Sequence, residues 1–119
     1  MTINHLNLPV TDVTKAVHFF ESYFDFSCQT LKGDAVVAVL TNPDQFVLVL
    51  MRDKSREPTY PKSFHVGFLL NSPQAVEEQH KKLTLGSISL AQSPQPIRDS
   101  YGFYFSFDTL LIEVSCPLN

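Results

Sequence analysis

The sequence predicts an α+β fold made of two βαβββ modules, and three observations carry that expectation. Apolar and polar residues alternate through short stretches. Leu6, Leu8 and Val10 oppose Ile3, His5 and Asn7, and Phe64, Val66, Phe68 and Leu70 oppose His65. Each of these stretches is followed by a helical pattern with its own start signal. The whole pattern then recurs: Thr11 follows His5 at the same interval as Asn71 follows His65, and Ala16-Val17 and Ala75-Val76 fall at matching places.

The first module spans about residues 1–55. A strand is expected from Thr2 to Val10, and Thr11-Asp12 offers an N-cap. Val13, Ala16, Val17, Phe20 and Phe24 follow at helical spacing. Three strands are then expected, Phe26 to Leu31, Ala35 to Leu40 and Gln45 to Met51. Gly33-Asp34 and Asn42-Pro43-Asp44 turn between them with glycine and Asx chemistry. Arg52 to Lys62 is polar, contains Pro58 and Pro61, and reads as a linker.

The second module, about residues 62–119, opens with a strand from Ser63 to Leu70. Ser72 caps a helix whose first turn accepts Pro73, because a missing amide hydrogen is harmless there. Val76 and Leu83 point inward, and Glu77, Glu78, Lys81 and Lys82 form a solvated face. Further strands are expected near Ser87 to Gln92, Tyr101 to Phe107 and Leu110 to Ser115, with Ser93 to Ser100 as a loop. Each module is too small to bury its own sheet well, so two must pack together, within one chain or between two. The 119 residues are expected to form one domain.

Composition narrows the functional classes. A hydrophobic share of 44% and a charged share of 18% fit a folded domain rather than a disordered one. A net charge of −3, with no basic cluster, gives no electrostatic footprint for nucleic acid or an anionic membrane. No apolar run is long enough to cross a bilayer. Cys28 and Cys116 lack metal-ligand spacing and are too few for a framework. They read as reduced thiols of a cytoplasmic protein, with a single disulfide as the alternative.

Three polar side chains interrupt apolar strands: His5, His65 and Glu113. An unpaired charge among such neighbours costs on the order of several kcal/mol, so a proton, a partner or a metal must offset it. Two imidazoles and a carboxylate on separate strands form a first shell for a divalent ion, with Zn, Ni, Mn, Co and Fe(II) all admissible. The bland alternatives are backbone-bonded strand histidines and a surface carboxylate at Glu113. His18 and His80 read as surface residues on the helices. Asn7 shares the His5 face and is expected to orient a ligand or make a structural hydrogen bond. Arg98, Tyr101 and Tyr104 border the last hairpin and are candidates for contact with an anionic or phenolic substrate. Tyr101 and Tyr104 lie on opposite strand faces, so only one of them can face a site. Phe103, Phe105 and Phe107 read as sheet packing.

The stretches Asn4-His5-Leu6-Asn7-Leu8-Pro9-Val10-Thr11-Asp12, Phe19-Phe20-Glu21-Ser22-Tyr23-Phe24, Phe64-His65-Val66-Gly67-Phe68 and Leu111-Ile112-Glu113-Val114 carry a family likeness. In two βαβββ modules, they resemble the vicinal oxygen chelate superfamily. That group includes glyoxalase I, fosfomycin-resistance thiol transferases, extradiol dioxygenases and bleomycin-resistance proteins. The likeness covers essentially the whole chain. It implies curved mixed sheets around a cupped cleft, with His5, His65 and Glu113 at three metal-ligand positions. It also implies a homodimer with swapped modules, in which His5 of one subunit joins His65 and Glu113 of the other.

Two departures matter. Many members have an Asp-Pro-Asp-Gly turn before the last strand, where this chain has Ser106-Phe107-Asp108-Thr109. Glyoxalase I commonly takes a fourth ligand at the end of the first module, where Val49 stands nearest. The leading expectation is therefore a small metal-dependent enzyme of lyase, isomerase or thiol transferase type. Its ion would chelate vicinal oxygens of a small substrate, and Glu113 would detach to serve as the base. The alternative is a metal-free module that binds a drug or another small molecule, as bleomycin-resistance proteins do. The chain's ten phenylalanines and negative charge suit that reading.

Overall fold

In a computed structural model, residues 1–54 and 58–118 are described. Residues 55–57 of the expected linker lie outside them. The chain divides into two compact units, Met1–Pro58 and Thr59–Asn119. Each is a βαβββ module with one open four-stranded mixed sheet, so the fold is α+β.

In the first unit, β1 (His5–Val10) leads to α1 (Val13–Tyr23), then to β2 (Ser27–Lys32), β3 (Val37–Thr41) and β4 (Val47–Arg52). The strand order is β1-β4-β3-β2, with β1 parallel to β4 and the other pairs antiparallel. The expected cap is realised: the Asp12 carboxylate accepts from the Lys15 amide at 3.0 Å. Val13, Ala16, Phe19 and Phe20 turn inward from α1, while Leu8, Val10, Ala38, Leu40, Leu48 and Leu50 form the buried face of the sheet. Alternation in β1 therefore does what the pattern demands, leaving His5, Asn7 and Pro9 exposed.

Two boundaries move for a backbone reason. Gly33, Asp34 and Ala35 all have positive φ (63°, 56° and 63°), so Ala35 belongs to the turn and β3 starts later than expected. Arg52 ends β4 instead of opening the linker: its amide donates to the Val36 carbonyl at 2.8 Å. The Asx turn at Asn42 is strong, with the side-chain oxygen accepting from the amides of Asp44 and Phe46 at 3.1 and 2.9 Å.

In the second unit, β5 (His65–Leu69) leads to α2 (Pro73–Leu85), then to β6 (Gln95–Ile97), β7 (Ser100–Phe107) and β8 (Leu110–Pro117). The order β5-β8-β7-β6 repeats the first sheet, again with the outer pair β5 and β8 parallel. Ser72 caps α2 by accepting from the Ala75 amide at 3.1 Å. Val76 and Leu83 from the helix are fully buried, as are Phe103, Ile112, Val114 and Cys116 on the sheet. Both cysteines are free.

The strand expected at Ser87 to Gln92 does not form, and the edge strand of this sheet, β6, lies inside the stretch expected to be a loop. The helix exit explains it. Ser87 adopts φ 65°, and the Ile88 amide turns back to the Leu83 carbonyl at 3.0 Å, so the chain leaves α2 coiled rather than extended. Pro96 is tolerated in β6 because β6 is an edge strand with one unpaired side. Among the described residues, no helix is long and apolar enough to cross a membrane.

Candidate functional site

The register of the second sheet assembles its polar face. Gly67 of β5 pairs with Glu113 of β8, and Glu113 pairs on its other side with Tyr104 of β7. His65 begins β5 on the same face, two residues before Gly67. The His65 Nε2 stands 3.2 Å from Glu113 Oε1, with side-chain exposures of 37% and 19%. The Tyr104 ring meets the His65 ring edge to face at 5.4 Å, and Tyr104 lies directly opposite Glu113 in the strand register. The other face of the sheet packs against α2.

The hydrogen bonds of the imidazole settle its tautomer. His65 Nδ1 lies 3.0 Å from the Ser63 carbonyl, which can only accept, so Nδ1 carries the proton. The remaining Nε2 lone pair would then point at an anionic oxygen, which is repulsive. A second proton on the ring, or a cation shared by both atoms, removes the repulsion. The 3.2 Å separation is compatible with either. Two ligands bound to one ion at about 2.1 Å, at angles between octahedral and tetrahedral, sit about 3.0–3.4 Å apart. His5 has the same arrangement: its Nδ1–H donates to Asn4 Oδ1 at 2.8 Å, which leaves the lone pair on Nε2. Metal-binding histidines are oriented in this way, by an oxygen on the nitrogen they do not use.

Tyr104 is held above the ordinary phenol pKa. Burial is the main cause, the neighbouring Glu113 carboxylate adds to it, and the positive charge of Arg98 opposes them. Arg98 is exposed, in the turn between β6 and β7, with a left-handed backbone at φ 53°. Of the two tyrosines, Tyr104 is the one on this face. Tyr101 points the other way, its hydroxyl 2.7 Å from Glu77 on α2. The Tyr101 phenol is raised by that hydrogen bond first, then by burial and by nearby negative charge.

His5 and Asn7 belong to β1 in the first unit, where Asn7 pairs with Val49 and Val49 with Val39. Superposing the two registers, Asn7, Val49 and Val39 occupy the places of Gly67, Glu113 and Tyr104. The first unit thus keeps the histidine position and lacks the carboxylate. Among the described residues, no group of three His, Cys, Asp or Glu side chains is drawn together as a metal site.

Two residues escaped the sequence reading. His80 is half-buried rather than superficial: its Nε2 lies 2.9 Å from the Gln92 carbonyl, and its ring stands edge-on to Phe103 at 4.9 Å. The Gln92 side chain accepts from the Tyr104 amide at 2.9 Å. No local pattern signals either contact, because both join segments separated in the chain.

The fold and the repeated register define a class, that of paired βαβββ proteins with a strand histidine opening each half. The chain belongs to the Glyoxalase/Bleomycin resistance protein/Dioxygenase superfamily, whose model matches residues 2–111. It is similar to a possible glyoxalase from Bacillus cereus, with 37% identity over 98% of this chain and 99% of that one, and a TM-score of 0.81. Two more distant structures share the fold. One is lactoylglutathione lyase from Agrobacterium tumefaciens, at 16% identity over 97% and 92% of the two chains, with a TM-score of 0.75. The other is a mutant of the fosfomycin resistance protein FosX from Listeria monocytogenes, complexed with Mn(II) and 1S,2S-dihydroxypropylphosphonic acid. It has 16% identity over 95% and 87% of the two chains, with a TM-score of 0.77. No curated protein matches the chain.

Proposed function

We propose that the protein is a small metal-dependent enzyme in which His5, His65 and Glu113 hold one divalent ion and a small substrate binds through oxygens on adjacent carbons. The His65–Glu113 pair carries this reading, because its 3.2 Å spacing and its tied Nδ1 suit two ligands of one ion. The Mn(II) in the FosX complex gives it further support. When bound, the ion supplies Lewis acidity toward the substrate oxygens and leaves coordination positions for them.

The residues divide the work. The imidazoles of His5 and His65 are neutral donors, each set by its Nδ1 partner. Glu113 is the anionic ligand and the group placed to accept a proton from a carbon next to the bound oxygens. Arg98 is the cation available to an anionic substituent of the substrate, and Asn7 a neutral hydrogen-bonding group beside His5. Val49 leaves the first module without a carboxylate, which favours chemistry that needs open ligand positions over a four-ligand site. The working unit in this reading is a homodimer that pairs His5 of one subunit with His65 and Glu113 of the other.

Metal analysis of untagged protein tests the proposal. Stoichiometric divalent metal that disappears in His65→Ala is the expected result. A metal-free wild type that binds an aromatic drug would instead favour a binding module. Mixing His5→Ala with Glu113→Ala subunits then restores metal to one site in a swapped dimer and to none in a self-contained monomer.

A further inference from the structure

We propose that Gly67 is a specificity-determining residue. By carrying no side chain beside Glu113, it makes room for an apolar substituent next to the substrate's chelating oxygens. The inference rests on the metal-site reading above and adds the class of substrate: one whose vicinal oxygens sit beside an alkyl or aryl group. Gly67 lies inside β5, directly opposite Glu113 in the register, and it is exposed. Glycine in a strand interior costs stability relative to alanine, so it calls for a reason. The backbone gives none, because Gly67 does not have a positive φ. Packing gives none either: an added Cβ would meet only Glu113 Oε1, at 3.9 Å, which is ordinary contact. The repeat makes the same point, since the first sheet carries Asn7 at this place. The fold therefore tolerates a side chain here, and what the glycine preserves is open space next to the carboxylate.

The space has a polar end and an apolar end. His65 and Leu69 are the neighbours of Gly67 on the same face of β5, two residues to either side. Four residues of strand span about 13 Å, and on that face of β5 only Gly67 lies between the two. His65 and Glu113 close the polar end, 3.2 Å apart. Leu69 closes the other, an aliphatic side chain left in water with 73% of its surface exposed. Beside it in the register stands Ser115, a small residue that is itself buried, so the floor there is low. A ligand chelated at the polar end would lay its substituent over Gly67 and against Leu69. An apolar group gains from that contact by leaving water, and a charged group does not. A larger side chain at position 67 would occupy the same place.

Hydroxamates chelate through two oxygens on adjacent atoms, so acetohydroxamate and benzohydroxamate share one head and differ in the group beside it. Calorimetric titration of the untagged, Co(II)-loaded protein should show benzohydroxamate binding the wild type more tightly than acetohydroxamate. Gly67→Ala should weaken benzohydroxamate about 10-fold, the effect of one misplaced carbon in an apolar site. It should leave acetohydroxamate and Co(II) itself bound as in the wild type. Leu69→Ser should likewise weaken benzohydroxamate alone. Equal benzohydroxamate affinity in wild type and Gly67→Ala overturns the inference. So does a loss of Co(II) in Gly67→Ala, which would make the glycine part of the ion's own site. In metal-free protein, the Leu69 methyl resonances supply a second readout. Millimolar benzohydroxamate should move them in the wild type and leave them in Gly67→Ala, and unmoved resonances in the wild type overturn the inference. A wild type that takes up no Co(II) defeats the metal reading alone, and the Leu69 methyl groups still decide the role of Gly67.

Discussion

Gly102 is the position where one added methyl group should do most harm. It lies in β7 opposite Ser115 of β8, two residues from the Tyr104–Glu113 pair. A Cβ built there would stand 2.1 Å from the Val114 carbonyl oxygen, 2.6 Å from Ser115 Cβ and 2.7 Å from Ser115 Cα. Two of these are backbone atoms, so no side chain can rotate away. The strands must part by on the order of 1 Å to reach ordinary contact. Overpacking of this kind costs about 1–3 kcal/mol, and each weakened ladder hydrogen bond about 1 kcal/mol more. The better strand propensity of alanine returns at most about 1 kcal/mol. Gly102→Ala should therefore lose about 3 kcal/mol, read as a fall in melting temperature of roughly 10 °C. It should also disturb the site, because the same two strands carry Tyr104 and Glu113. Gly67→Ala is the matched control: its new methyl would meet only Glu113 Oε1, at 3.9 Å, and stability should hold or rise. Equal melting of Gly102→Ala and wild type would refute the close-approach argument.

Asn42→Ala removes both side-chain acceptances that close the β3–β4 turn and should cost about 1–2 kcal/mol, measured by urea unfolding. Tyr101 and Tyr104 both have pKa values raised above 10.0, so the folded state holds their protons more tightly than the unfolded chain. Their contribution is complete below pH 10.0 and is lost as pH rises through the folded values; Tyr104→Phe should lose less stability there than the wild type, and Glu113→Gln should bring the Tyr104 phenol down in an ultraviolet titration. Val49→Glu puts a carboxylate at the place that Glu113 holds in the repeat, and it should tighten Co(II) binding while weakening the affinity of the loaded protein for oxalate.

Much of the architecture was legible because binary pattern and capping agree. Leu8 and Val10 could only face a core, and Asp12 and Ser72 announce helices that the structure starts where expected. His65 and Glu113 stood out because each is polar where its strand neighbours are apolar, and the parallel register brings them together. The failures share a cause in backbone geometry. Ala35 and Ser87 are ordinary residues in left-handed conformations, which composition does not betray. Their neighbours therefore read as strand where the chain is turning. Gln92 was assigned to that missing strand, and its true role depends on a contact with β7 that no local period encodes.

The repeat also explains why the two modules are not chemically equivalent. One backbone register sets Asn7, Val49 and Val39 in the first sheet against Gly67, Glu113 and Tyr104 in the second. The same strands could carry a carboxylate in each half, and this chain carries it in one. With the proposed ion, two neutral imidazoles and a single carboxylate leave a net positive site. Such a site would strengthen its hold on ligands that are anionic or become so during reaction, because Glu113 is partly desolvated, with 19% of its side chain exposed. A second carboxylate would neutralise that charge and hold the ion more firmly, at the expense of ligand affinity. In the proposed site the valine at position 49 is thus as informative as the glutamate at 113: the glutamate would supply the charge that binds the ion, and the valine would withhold the charge that would quench it.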